Sequence, residues 1–221
     1  MKNKEFLFIF LFFVVGLVTL QIPFTKLVGS NVTFTLFDFF GPIAGGFLGP
    51  VYGVVSVLSV ELVNVFIRHT PLSTGAVIRL FPMLFATIYF GFLSGKQRNS
   101  KYILIVPMLA MLVFLLHPVG RTVWYFSMFW LIPVIAYFKR DNLLARSLGA
   151  TFTAHAVGGA AWIWAFNLPA NVWKGLIPVV IEERLLFTLG IAGSYLLMKH
   201  LLKYLIGKKI LPPLHTLRPS V

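Results

Sequence analysis

FTLFDFFGPIAGGFLGPVYGVVSVLSVELVNVFI, Phe34 to Ile67, is the stretch that decides the fold. Its charged residues are Asp38 and Glu61, and Gly49-Pro50 divides it into two apolar runs, 34–48 and 50–67. A helix at the surface of a water-soluble domain keeps a polar face. Runs that are apolar all round belong to helices surrounded by lipid or by protein.

The rest of the chain repeats this pattern. Of its 221 residues, 58% are hydrophobic and 11% are charged, and the mean hydropathy is +0.89. Soluble domains carry about 25% charged residues, so this chain has too little polar surface to cover a water-soluble core. Six further apolar runs follow the same reading: 6–22, 76–94, 102–117, 122–138, 147–166 and 174–198. Pro23, Pro71, the polar run GKQRNSK (Gly95 to Lys101), Pro118 with Gly120, KRDN (Lys139 to Asn142) and NLPAN (Asn167 to Asn171) separate them. The expected fold is all-α, a polytopic transmembrane helical bundle of six to eight membrane segments. It forms one domain over 1–205, followed by a short basic tail, 206–221. Segment 34–48 is short and contains Gly41-Pro42, which marks a half-helix or a steeply tilted one. Segment 6–22 is longer than the roughly 7–15 apolar residues of a signal peptide and lacks a small-x-small cleavage site; it reads as a retained helix.

The net charge of +13 has its explanation in the loops. With the amino terminus inside, thirteen basic residues fall on the inner side: Lys2, Lys4, Lys96, Arg98, Lys101, Lys139, Arg140, Arg146, Lys199, Lys203, Lys208, Lys209 and Arg218. Four fall outside: Lys26, Arg68, Arg121 and Lys174. Short-loop Lys/Arg bias sets membrane orientation, so both termini are expected in the cytoplasm and the protein in the cell membrane, multi-pass. Its environment is the lipid bilayer and it has no nucleic-acid partner. The chain has no cysteine, which removes disulfides and thiolate metal sites. No GxxxxGK[ST] phosphate-binding loop occurs, so the chain does not hydrolyse ATP by that route. No cofactor or metal is expected.

Gly41, Gly45, Gly49 and Gly53 recur at every fourth position. Such a ridge lets another backbone approach closely, for helix packing inside the protein or for docking a partner. Ionisable residues within apolar spans are costly and mark function by default. Asp38 lies early in the second segment. Glu61, Asn64 and Arg68 share one helical face at i, i+3 and i+7. Arg79 opens the fourth segment, and Glu182, Glu183 and Arg184 sit within the last. Two uses are open: ion pairs such as Glu61 or Glu183 with Arg79 or Arg184, or a polar ligand pocket. Thr151, His155, Gly158 and Trp162 fall on one face of the seventh segment among small residues, a groove suited to a flat ligand or to close packing. Trp162, Trp164 and Trp173 also fit anchors at a membrane interface.

Three stretches carry a family resemblance. Phe34 to Ile67, with Asp38, a short helix and Gly49-Pro50 opening the next, resembles the substrate-binding S components of energy-coupling-factor (ECF) vitamin transporters, and the riboflavin-type members most. STGAVIRLFPMLFATIYFG, Ser73 to Gly91, resembles their fourth helix. NLPANVWKGLIPVVI, Asn167 to Ile181, resembles the opening of their last, with Pro169, Asn171, Lys174 and Gly175 in place. The family has six helices and an Ala-x-x-x-Ala ridge on the first, where this chain has only Gly16 as a small residue.

The expected function is therefore a transport subunit, not an enzyme, that captures a small vitamin-like, aromatic or anionic molecule. The resemblance implies an ECF coupling subunit and its ATPases as partners. The ligand-binding candidates are Asp38, Glu61, Asn64, Arg79, His155, Trp162, Asn171 and Arg184, with Arg79 or Arg184 pairing an anionic group and Trp162 stacking on a ring. Two alternatives stand beside it. One is a non-catalytic assembly or scaffold protein. The other is an intramembrane enzyme, because Glu182-Glu183 with a distant His155 resembles the Glu-Glu and His motifs of CAAX-type proteases in reversed order.

Overall fold

The computed structural model describes residues 2–26, 33–69, 71, 73–95 and 101–212. Parts of two expectations, the basic loop around Lys96 and Arg98 and the end of the tail with Arg218, lie outside them.

Among the described residues the fold is helical apart from one small hairpin. Helix α1 (Lys2–Leu20) leads into strands β1 (Pro23–Lys26) and β2 (Thr33–Thr35), which pair antiparallel. Helix α2 (Phe37–Leu48) follows, then α3 (Pro50–Ile67). Gly49 joins them at φ 83 and ψ 166. A residue with a Cβ is strained there, and Pro50 then starts α3 at the first helical position, where its missing N–H costs nothing. Helix α4 (Thr74–Ser94) starts at Ser73, whose Oγ accepts the Ala76 N–H at 3.2 Å. Helix α5 (Ile105–Leu116) follows a short 3₁₀ turn. Asn142 caps α8 (Leu143–Phe166) by accepting from Leu144 N and Ala145 N, and Asn167 ends it in the left-handed conformation. Helix α9 (Ala170–Gly207) has 38 residues and passes through both residue 198 and residue 205, the expected ends of the last segment and of the domain.

One expected span is not a single helix. Residues 122–138 are divided among the end of α6 (Pro118–Thr122), a 3₁₀ stretch, Trp124–Leu131, and α7 (Ile132–Phe138). Pro133 has no N–H to give to an α-helical bond, and Ile132 N bonds Phe129 O three residues back instead. The Pro133 carbonyl is taken by the Tyr89 hydroxyl, which donates at 2.6 Å. The apolar composition of this run comes from the interior it fills. Phe126 and Trp130 are buried against Phe114, and Trp173 packs on Phe114 and Phe126.

The glycine ridge is used inside the chain. A Cβ on Gly41 would lie 2.6 Å from Met83 Sδ. One on Gly45 would strike the Thr87 carbonyl oxygen, and one on Gly53 would lie 2.6 Å from the backbone nitrogen of Gly45. Turned by Gly49-Pro50, the ridge lets α2, α3 and α4 meet backbone to backbone. Helices α3 and α4 are long and apolar enough to cross a membrane; α1 from Phe6, α2, Lys101–Leu116 and Trp124–Phe138 are apolar but shorter.

Candidate binding cavity

Six helices surround a cavity of about 990 Å³. It is lined where α1 and α3 finish and where α2, α4 and α9 begin, by one face of α8, and by the hairpin residues Pro23, Thr33, Phe34 and Thr35. Ligand pockets of small molecules span about 300–1,000 Å³, so the space suits a ligand of vitamin or amino-acid size.

Helical spacing delivers most of the candidates. Glu61, Asn64 and Arg68 line the cavity from α3, and Thr151, His155, Gly158 and Trp162 line it from α8, as two unbroken helical faces. Asp38, Arg79 and Arg184 complete the set. Asn171 does not belong to it: it is exposed in the first turn of α9, and Leu168, Val172 and Trp173 around it make the wall. Of the three tryptophans, Trp173 is 2% exposed, and its indole donates to Leu168 O at 3.2 Å, a core position and not an interface anchor. Trp164 is exposed and donates to Val113 O.

Arg184 is a buried charge held by several partners. It is 7% exposed. Nη1 donates to Thr151 Oγ1 and Nη2 to Glu183 Oε2, each at 3.2 Å. Its guanidinium lies 4.4 Å from the Phe187 ring centroid and 5.7 Å from that of Phe34. Those two rings pack edge to face with centroids 4.8 Å apart, so the guanidinium rests against an aromatic corner, a cation–π contact that suits Arg. Its ion pair is with its chain neighbour Glu183, one of the pairings expected above. Glu182 is exposed and does not line the cavity, so no Glu-Glu pair faces His155.

Asp38 holds the wall together. Its Oδ2 accepts from Thr35 N at 2.8 Å and from Thr35 Oγ1 at 3.4 Å, fixing β2 to the first turn of α2. His155 Nδ1 accepts from the Trp130 indole at 3.0 Å, which in the neutral ring leaves Nε2–H as the donor. Phe126, Trp130 and Phe152 surround that imidazole at centroid distances of 5.5, 6.1 and 6.0 Å. On the rim, Gln21 joins α1 to α3: its Nε2 donates to Asn64 Oδ1 at 3.2 Å and its Oε1 accepts from Arg68 Nη2 at 2.7 Å. Gln21, Phe34 and Phe187 were missed in the sequence. Only Gln21 carries a signal there, as a polar residue closing an apolar run just before Pro23. Among the described residues no three His, Asp or Glu side chains are grouped to hold a metal ion.

These features define the class: a helical protein whose described residues form a large cavity lined by charged, polar and aromatic side chains. No family model matches the chain, and no solved structure matches it. It is similar to the uncharacterized protein MJ0923 of Methanocaldococcus jannaschii, 30% identical over an alignment of 207 residues that covers 85% of this chain and 68% of that one. The chain belongs to the family of that archaeal protein.

Proposed function

We propose that the chain is a multi-pass membrane protein with both termini in the cytoplasm, and that it captures a small molecule in this cavity for uptake. Its working partners would be a coupling subunit and ATPases of the ECF kind, as the resemblance of residues 34–67, 73–91 and 167–181 implies. The carrying observation is that Asp38, Glu61, Asn64, Arg79, His155, Trp162 and Arg184, from five helices, line one cavity. Charges in apolar spans are retained where they face a cavity or one another, and here they do both.

The orientation supports the same reading. The cavity lies at the end of the bundle where α1 and α3 finish and α4 and α9 begin. By the Lys/Arg bias this end faces outward. Lys139, Arg140, Lys203 and Lys208 follow or close segments at the opposite end. Toward that opposite end the backbones of Gly45, Gly53 and Gly91 bring α2, α3 and α4 into close contact. A site at the outward end is what a capture subunit needs before its partner drives release.

The test is direct binding to the full-length protein in detergent, against a panel of vitamins, nucleobases and aromatic amino acids. Saturable binding of one radiolabelled compound, displaced by the same compound unlabelled, supports capture. A panel without any binder contradicts it.

A further inference from the structure

Six charged side chains line the cavity among the described residues: Asp38, Glu61, Glu183, Arg68, Arg79 and Arg184. They balance, three acids against three arginines, so the wall as a whole does not call for a net anion. Four are already engaged. Asp38 accepts from Thr35, Glu183 pairs with Arg184, and Arg68 donates to Gln21. Two remain. Glu61 Oε2 is buried without a hydrogen-bond partner. Arg79, exposed on α4, makes no hydrogen bond or ion pair with a described residue. Glu61 and Arg79 both line the cavity and do not meet as an ion pair.

We infer that the cavity selects a zwitterion with an apolar or aromatic body, its amine nitrogen on the Glu61 carboxyl and its carboxylate on Arg79. This rests on the capture reading above. A lone anion would meet Arg79 but would also be repelled by Glu61 and Asp38 nearby. A lone cation would face the converse at Arg79. A zwitterion gives each of the two a short, charge-assisted hydrogen-bonded partner. The body of the ligand then meets the ring of Trp162, which is half-buried and also lines the cavity.

The experiment uses full-length protein in detergent and two series that share a ring: tryptophan, tryptamine and indole-3-propionate, and tyrosine, tyramine and 4-hydroxyphenylpropionate. Radiolabelled tryptophan and tyrosine are the probes, and the other compounds compete. The expected result is that the zwitterion of at least one series binds about tenfold or more tightly than both of its singly charged analogues, about 1.4 kcal/mol or more. Glu61→Gln should erase the preference over the acid, and Arg79→Gln the preference over the amine. Arg79 is exposed, so its variant reads the site even if Glu61→Gln fails to fold. Equal or tighter binding of a singly charged analogue overturns the inference. So does binding of a vitamin or nucleobase with no amino acid bound, an outcome that leaves the capture reading standing. Absence of binding by every compound overturns both.

Discussion

Replacing Gly45 with alanine tests the close backbone contact of α2 with α4. The new Cβ would run into the Thr87 carbonyl oxygen and lie 3.1 Å from the backbone nitrogen of Gly91. Optimal carbon contacts lie near 3.5–4.0 Å, and both neighbours are backbone, so neither can rotate away. Helices α2 and α4 must separate, or the helix must distort. Overpacking of a filled interior costs about 1–3 kcal/mol, partly offset by the roughly 0.5–1 kcal/mol that alanine gains over glycine in a helix. Gly193 supplies the control. It lies within α9 and has nothing within 4 Å of the position a Cβ would take. There the alanine gain stands alone. Thermal unfolding in detergent should therefore place Gly45→Ala below the parent protein and Gly193→Ala at or above it. If Gly45→Ala were as stable as Gly193→Ala, the backbone contact of α2 with α4 would not exist as described.

Three further outcomes follow from named contacts. Arg184→Met leaves Glu183 without its cation, and breaking a buried pair costs about 3–5 kcal/mol; Glu183→Leu with Arg184→Met should be milder than Arg184→Met alone in a double-mutant cycle of unfolding midpoints. Thr151→Val removes the acceptor of Arg184 Nη1, and stranding that buried donor should cost about 1–3 kcal/mol in the same assay. Asp38→Asn weakens the charged acceptor that ties Thr35 to α2, so limited proteolysis should cut within residues 21–36 faster than in the parent, with the helices left intact.

Much of the cavity was legible because it is made of helical faces. Once segments 50–67 and 147–166 are taken as helices, the spacing of Glu61, Asn64 and Arg68, and of Thr151, His155, Gly158 and Trp162, puts each group on one side whatever the tertiary packing. Spacing could not say that the two faces look into the same space; that depends on how α3, α4, α8 and α9 cross. The break at 124–131 was hidden because the residues that fill the interior there, Phe126 and Trp130, are as apolar as those of a membrane span. Asn171 was proposed through family likeness alone, and no helical face supported it. The role of Asp38 in holding the hairpin was out of reach, because its partner Thr35 belongs to a strand that hydrophobic periodicity does not reveal in three residues. The glycine ridge was visible as a pattern, but its partner, the α4 backbone at Thr87 and Gly91, was not.

The central claim is that the cavity opens outward and holds a small molecule. The chain has no cysteine, so a single one at Ala76, which lines the cavity near the start of α4, can be labelled without interference. Ala76→Cys in intact cells should react with a membrane-impermeant maleimide added outside, and the compound that binds in the panel should slow that reaction. Labelling only after the membrane is opened, or a rate that no bound compound changes, would contradict the account.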